Sequence, residues 1–463
     1  MVATKEDPGK DWPQILAIIV ACIPGVTSAL LFTWPSPFLL ILKNDQETYG
    51  SITEEEANLL PIFMSIGMLV TSLFFFKIHD FIGRKYTLIL LSVPHSLFWL
   101  ITIFASDIYS LYVGRFICGI ADAVMYAALP IYMGEVATPR IRGTWGNGQS
   151  FSFNAGFFII NVLGYYLNIQ QTAYVCLTLP LIGAILFMLM PESPYHHLVK
   201  HQDEKARKSL QWLLRKKNIE PDFQQLKADV KRQTSETGTW TDLFKIPSNR
   251  RALIACLFIR LGQQCSGIGV FENYIQYIFE KAQVRSISPE ISAIVFSGTL
   301  WIVMTMFSII MDKLGRRKSY TLSSLGCAIC LCAESLYFYF DDNDILDLSG
   351  FQWFPLATFV AYVVTYSAGL GPLPSLMCGE LFSASIKGKA LAICSMATGF
   401  YVTLFSFAFR YLLTHVGLYA PFAVYAAMTF LGFVASFFIV PETKGKTLEE
   451  IQQELKGNKR RDF

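Results

Sequence analysis

Two adjacent amides, Gln263 and Gln264, stand in an otherwise apolar stretch, with Asn273 further along it. An amide both donates and accepts, so it suits a ligand rich in hydroxyls, whose polar groups need partners once water is excluded. Ser150, Asn154 and Asn161 are separated by four and seven residues, which sets them on one face of a helix. A polar face on a helix in lipid turns toward the interior of a bundle. Gly267 and Gly269 bracket Ile268 and predict a loosened helix beside the amides. Arg115 and Asp122 lie two turns apart on nearly one face, and Glu272 and Glu334 occupy other apolar stretches. Ionisable groups at such depth are costly and mark function. Asp122 and Glu272 are the candidates for taking up and releasing a proton.

A second kind of chemistry is mechanical. GLGPLP contains Gly369, Gly371, Pro372 and Pro374, which remove amide hydrogens and permit bending, so this stretch is read as a gating hinge.

The elements that must position these residues are set by composition. The 463-residue chain is 53% hydrophobic and only 16% charged, too apolar for a water-exposed fold. A membrane-crossing helix needs about 20 apolar residues. That measure predicts spans near 15–41, 58–78, 86–105, 108–133, 144–167, 172–190, 252–279, 291–311, 319–340, 353–378, 390–413 and 419–440. The expected fold is an all-α polytopic membrane protein of twelve transmembrane helices in two six-helix bundles. Residues 1–190 form the first bundle, 191–251 a cytosolic helical linker, 252–440 the second bundle and 441–463 a short cytosolic tail.

Of the 38 basic residues, Lys43, Lys281 and Arg285 fall outside, Arg115, Arg260 and Arg410 fall within spans, and all others fall on one side. The basic side is predicted to be cytosolic, with both termini on it. The polar start MVATKEDPGKDWPQ argues against a cleaved signal peptide. In the linker, Ala206, Leu210, Leu213 and Leu214 make one apolar stripe, expected to pack as a cap beneath the bundles.

A net charge of +3 gives no ground for a nucleic-acid partner. No catalytic nucleophile, cofactor site or phosphate loop is found, and KGKA lacks the glycine spacing of a P-loop. The chain is therefore not read as an enzyme. All ten cysteines fall inside apolar runs, which argues against a disulfide framework, and Cys327, Cys330 and Cys332 are read as packing residues. His197 and His201 have helical ligand spacing without further donors, so no metal is expected.

The halves repeat each other. HDFIGRK (79–85) recurs as MDKLGRR (311–317), MGE at Glu135 as CGE at Glu380, and PESP (191–194) as PETK (441–444). Three motifs in the same order indicate two parallel six-span repeats around a midplane site. The repeated charges Asp80, Arg84, Glu135 and Arg142, with Asp312, Arg316, Arg317 and Glu380, are read as a salt-bridge latch at the cytosolic helix ends.

GRF (114–116), PIYMGEVATPRIRG (130–143), QQCSGIG (263–269), GLGPLPSLMCGELF (369–382) and PETKGKT (441–447) resemble the sugar-porter family of the major facilitator superfamily. WPSP (34–37) and EKARKSLQWL are most similar to its branch of facilitated trehalose carriers. The resemblance covers essentially the whole chain. It implies a plasma-membrane transporter that moves a sugar of trehalose or hexose type by alternating access, without cofactor or metal. Several family sugar-contact positions differ here: Ser150, Gly269, Leu300 and Ser375, and Thr398-Gly399 in place of Asn-Trp. Thr398 is carried over as a substrate-binding candidate. Span one lacks the acid of proton-coupled relatives, which favours facilitated diffusion. A proton symporter, a carrier of a different small organic solute and a sensor without flux are the alternatives. The solute and the lipid bilayer are the expected partners.

Overall fold

The computed structural model describes residues 9–44, 52–72, 81–145, 147–235, 238–282, 287–444, 446 and 448–456. Among them, every regular element is helical. Nine helical stretches are long and apolar enough to cross a membrane: Trp12–Lys43, Arg84–Phe104, Ile108–Val136, Ile169–Leu189, Pro247–Lys281, Pro289–Ser308, Arg316–Asp342, Ile386–His415 and Tyr419–Ile439. Three further spans fall short of that measure. Leu60–Ser72 is described only in part. Gly148–Tyr166 is diluted by the polar stripe of Ser150, Asn154 and Asn161. Phe354–Ser367 and Leu373–Glu380 are one span interrupted at 368–372. In chain order these make spans one to twelve, as the hydropathy predicts.

Large apolar side chains stand exposed along the spans, among them Phe438 at 86% and Phe104 at 80%. Lipid solvates such a surface and water does not. Between helices in lipid the drive comes from close packing and buried hydrogen bonds rather than from expelling water. Within the first half, span one packs on span five and span two on span four; in the second half, span nine packs on span twelve. The halves meet where span two lies on span eleven and span five on span eight. Phe158 stacks on Trp301 at 5.7 Å and Phe151 meets the same ring at 5.5 Å, filling the second seam.

Three of the breaks within spans bear on the site, and each has a local reason. Span one ends its first helix, Trp12–Phe32, and restarts as Pro35–Asn44, because a proline cannot donate into the preceding turn. Arg115 satisfies the carbonyls freed there and beyond: it donates to Leu31, to Phe32 at 3.2 Å and to Leu60 at 3.2 Å. Span seven divides into Pro247–Cys265 and Ile268–Lys281 at Gly267, whose φ of +83° suits glycine alone. A side chain at Gly267 would also strike Phe271 and Tyr425. The third break is the GLGPLP stretch of span ten.

Four linker helices, Pro194–Val199, Asp203–Leu214, Glu220–Ser235 and Trp240–Lys245, lie on one face of the bundles, called the basic face below. Leu198, Ala206, Leu210, Leu214, Phe223 and Val230 form their core. Leu213 turns the other way and joins the first bundle's core, which fastens the cap to the spans. His201 sits in a turn with φ of +57°, and neither it nor His197 belongs to a cluster of metal donors among the described residues.

Candidate functional site

A cavity of about 550 Å³ lies between the halves, within the range of sites for small solutes. Spans four and five supply Tyr126, Ser150 and Asn154 to one wall; spans seven, ten and eleven supply Gln263, Gln264, Ile268, Tyr366 and Thr398 to the other. It reaches Glu135, Arg142 and Lys387 at the basic face. On the opposite face the halves touch. Tyr274 Oη donates to the Asn58 carbonyl at 2.8 Å, and Arg410 lies 3.6 Å from Glu55. The cavity is thus open toward the basic face and closed on the other.

The two adjacent glutamines do different things. Gln263 Nε2 donates to Tyr366 Oη and to the Gly371 carbonyl, each at 3.1 Å, and its oxygen accepts from Arg260 at 3.3 Å. Its amide is occupied in tying span seven to the break in span ten. The side chain of Gln264 makes no hydrogen bond to another described residue and lines the cavity, so its amide is available. Ser150 and Asn154 line the cavity as well, although one N–H of the Asn154 amide goes to the Ser150 carbonyl at 2.8 Å. Thr398 donates to Cys394 O at 2.8 Å in its own helix while facing the cavity.

Two polar residues are placed elsewhere. Asn273 is not in the cavity wall: it is 2% exposed and donates to the Gly269 carbonyl at 2.8 Å. Asn161 accepts from Ser36 at 2.8 Å and so braces the break in span one. Asn161 keeps nearly the same helical face as Ser150 but lies about 16 Å further along the helix, beyond the cavity wall. Of the hinge residues, Gly371 lines the cavity, while Gly369 packs so closely on span nine that a Cβ would stand 2.2 Å from the Ser319 carbonyl. Pro372 and Pro374 are buried behind them.

The repeated charges pair inside each half. Arg84 Nε lies 3.1 Å from Glu135, and Arg316 Nη2 lies 2.9 Å from Glu380. These pairs do not bridge the halves, so in this conformation they stiffen each half rather than shut the basic face. Arg142 donates to the Gly134 and Ala137 carbonyls at 2.5 and 3.3 Å, and Lys387 to Gly379 O at 3.1 Å, each capping a helix end. Arg317 reaches the Phe437 carbonyl. Asp80 lies outside the described residues, as does the side chain of Asp312.

Glu272 lines the cavity wall. Asp122 does not: fully buried, it accepts from Ser28 at 2.7 Å and lies 3.5 Å from His95 Nε2. Sequence reading overlooked His95, because nothing local links a lone histidine in span three to an acid in span four. It also overlooked Arg260, which faces the cavity and contacts Ser375 at 3.4 Å. Its place one turn before Gln263 was the available signal. Glu334 is buried in span nine with neither oxygen bonded by a described residue.

A family model described as sugar (and other) transporter matches residues 39–455. The chain is 32% identical over 458 residues to the facilitated trehalose transporter Tret1 of Polypedilum vanderplanki, covering 97% of this chain and 89% of that protein. Its similarity to the Tret1 of Aedes aegypti is 28% over 454 residues, and there the chain spans only 56% of the relative. Among solved structures, the proton:xylose symporter XylE bound to 6-bromo-6-deoxy-D-glucose aligns with a TM-score of 0.75 at 20% identity, over 96% of this chain and 99% of that one. That likeness establishes the major facilitator fold, and with a family match running nearly end to end this chain belongs to the sugar (and other) transporter family.

Proposed function

We propose that this chain carries a small polyhydroxylated solute, of the trehalose or hexose class, across the plasma membrane by alternating access and facilitated diffusion. The observation that carries the reading is the cavity of about 550 Å³, open at the basic face and sealed at the other by Tyr274–Asn58 and Arg410–Glu55. The relatives named for trehalose transport support the solute class. Residues 1–190 and 252–440 act as the two rocking bundles, with 191–251 as linker and 441–463 as tail. The basic face is cytosolic, in keeping with the charge asymmetry. Gln264, Ser150, Asn154, Ile268 and Thr398 bind the solute, and Gly369, Gly371, Pro372 and Pro374 let span ten bend over it.

Purified protein in proteoliposomes, given labelled trehalose and a hexose panel with and without a pH gradient, tests this. Equilibration without accumulation is expected. No uptake of any sugar overturns the solute class; accumulation driven by the gradient replaces uniport with symport and makes Glu272 the first residue to mutate. One observation favours a second reading, a different small organic solute: Arg260 places a permanent cation in the wall. Selective uptake of an anionic solute would establish it.

A further inference from the structure

Cys256 on the first helix of span seven, Cys378 on the second helix of span ten and Cys394 on span eleven bring their sulfurs within 4.8 Å of one another. All three are at least 98% buried, and among the described residues this is the one place where three metal-capable donors converge. Their wide separation along the chain hides the cluster from spacing rules. Cys327, Cys330 and Cys332, whose spacing does suggest a motif, face differently: buried, half-buried and exposed.

The donor set is all sulfur. Soft thiolates select soft ions, copper(I) above all among monovalent ones. Metal–sulfur bonds of about 2.3 Å place the sulfurs of a planar three-coordinate site about 4 Å apart. The observed triangle therefore has to contract by less than about 1 Å. A tetrahedral divalent ion would require a fourth donor, and no described histidine or carboxylate joins the cluster. An entry path exists, because Cys394 also lines the cavity. Arg260 lines the same cavity and interacts with Cys378, so a cation stands beside the negative charge that ligation would create.

We propose that Cys256, Cys378 and Cys394 form a three-coordinate sulfur site for one copper(I)-class ion, reached through the central cavity. Each ligating thiol loses its proton to cavity water as its S–metal bond forms. The ion enters already as copper(I), so no electron moves. The ligands come from three spans, including the part of span ten beyond its break, so occupancy clamps elements that alternating access must shift. Metal uptake itself is independent of whether the chain carries a sugar.

The test is anaerobic titration of purified protein with copper(I) held by a chromogenic chelator. One equivalent per chain is expected, with X-ray absorption giving three sulfur neighbours at about 2.3 Å. C256S/C378S/C394S should lose that equivalent and C327S/C330S/C332S should keep it. No uptake by the unmodified chain, or unchanged uptake by the first triple variant, overturns the site. If that variant does not fold, the single Cys378→Ser decides: affinity should fall at least about tenfold, and an unchanged affinity overturns the proposal.

Discussion

Glu442 Oε1 accepts a hydrogen bond from the backbone nitrogen of Arg316 at 2.9 Å, while its Oε2 accepts from the next nitrogen, Arg317, at 3.2 Å. Glu192 repeats the arrangement at the backbone nitrogens of Arg84 and Lys85, each at 3.1 Å. A carboxylate at a helix start satisfies orphan amides and meets the positive end of the helix dipole. The glycine before each helix makes room: Gly83 and Gly315 have φ of +108° and +88°, and a Cβ there would stand 2.4 and 3.0 Å from the respective carboxylates. Two repeated motifs that look independent in sequence are thus two sides of one contact.

That contact predicts an acid-sensitive stability term. Burial pushes the Glu442 carboxyl upward, but the backbone amides of Lys444, Arg316 and Arg317, with the Arg316 charge, outweigh it and hold the group below its usual range. The stabilisation is therefore present above the ordinary glutamate value of about 4.3 and is lost as pH falls through the lowered one. Glu442→Gln should cost about 1 kcal/mol at pH 7 and flatten the decline of Tm between pH 5 and 3 (both bounds approximate). Melting curves in detergent across that range check it; an unchanged slope counts against the contact.

The two glutamines should separate kinetically. Gln264→Ala removes an available cavity amide, so KM should rise about five- to tenfold with kcat little changed. Gln263→Ala unties span seven from span ten, so kcat and Tm should fall more than KM rises. Initial-rate uptake in proteoliposomes distinguishes them, and identical profiles would contradict the assignment.

Tyr274→Phe leaves the Asn58 carbonyl without its partner across the seam opposite the basic face. Losing that bond should shift the equilibrium by about 1 kcal/mol toward opening there, roughly fivefold in population. Maleimide labelling of a cysteine introduced by Ser150→Cys in the cavity wall, with reagent applied from the basic face, should slow accordingly.

Arg115 is fully buried and serves three carbonyls on spans one and two. Arg115→Lys keeps the charge but lacks the planar fork, so the variant should lose about 2–4 kcal/mol. A lower Tm together with a reduced monodisperse yield is the expected outcome.

What was legible in the sequence is what repeats or alternates locally. Apolar length marked the spans, the Ala206–Leu210–Leu214 stripe marked the cap, and the recurring GRK and GRR, MGE and CGE, PESP and PETK marked the duplication. Such patterns follow from how one helix meets lipid or a neighbour, and no distant residue is needed to state them. The site behaved otherwise. Gln263 and Gln264 are adjacent and chemically identical, yet one is bound to Tyr366 and Gly371 and the other faces the cavity. Asp122 meets His95, Glu135 meets Arg84 within its own half, and three cysteines from three spans converge. Those relationships depend on helix rotation and on which span lies beside which. Only the packed structure decides them, because side-chain chemistry specifies what a group needs and the fold determines which partner is near enough to supply it.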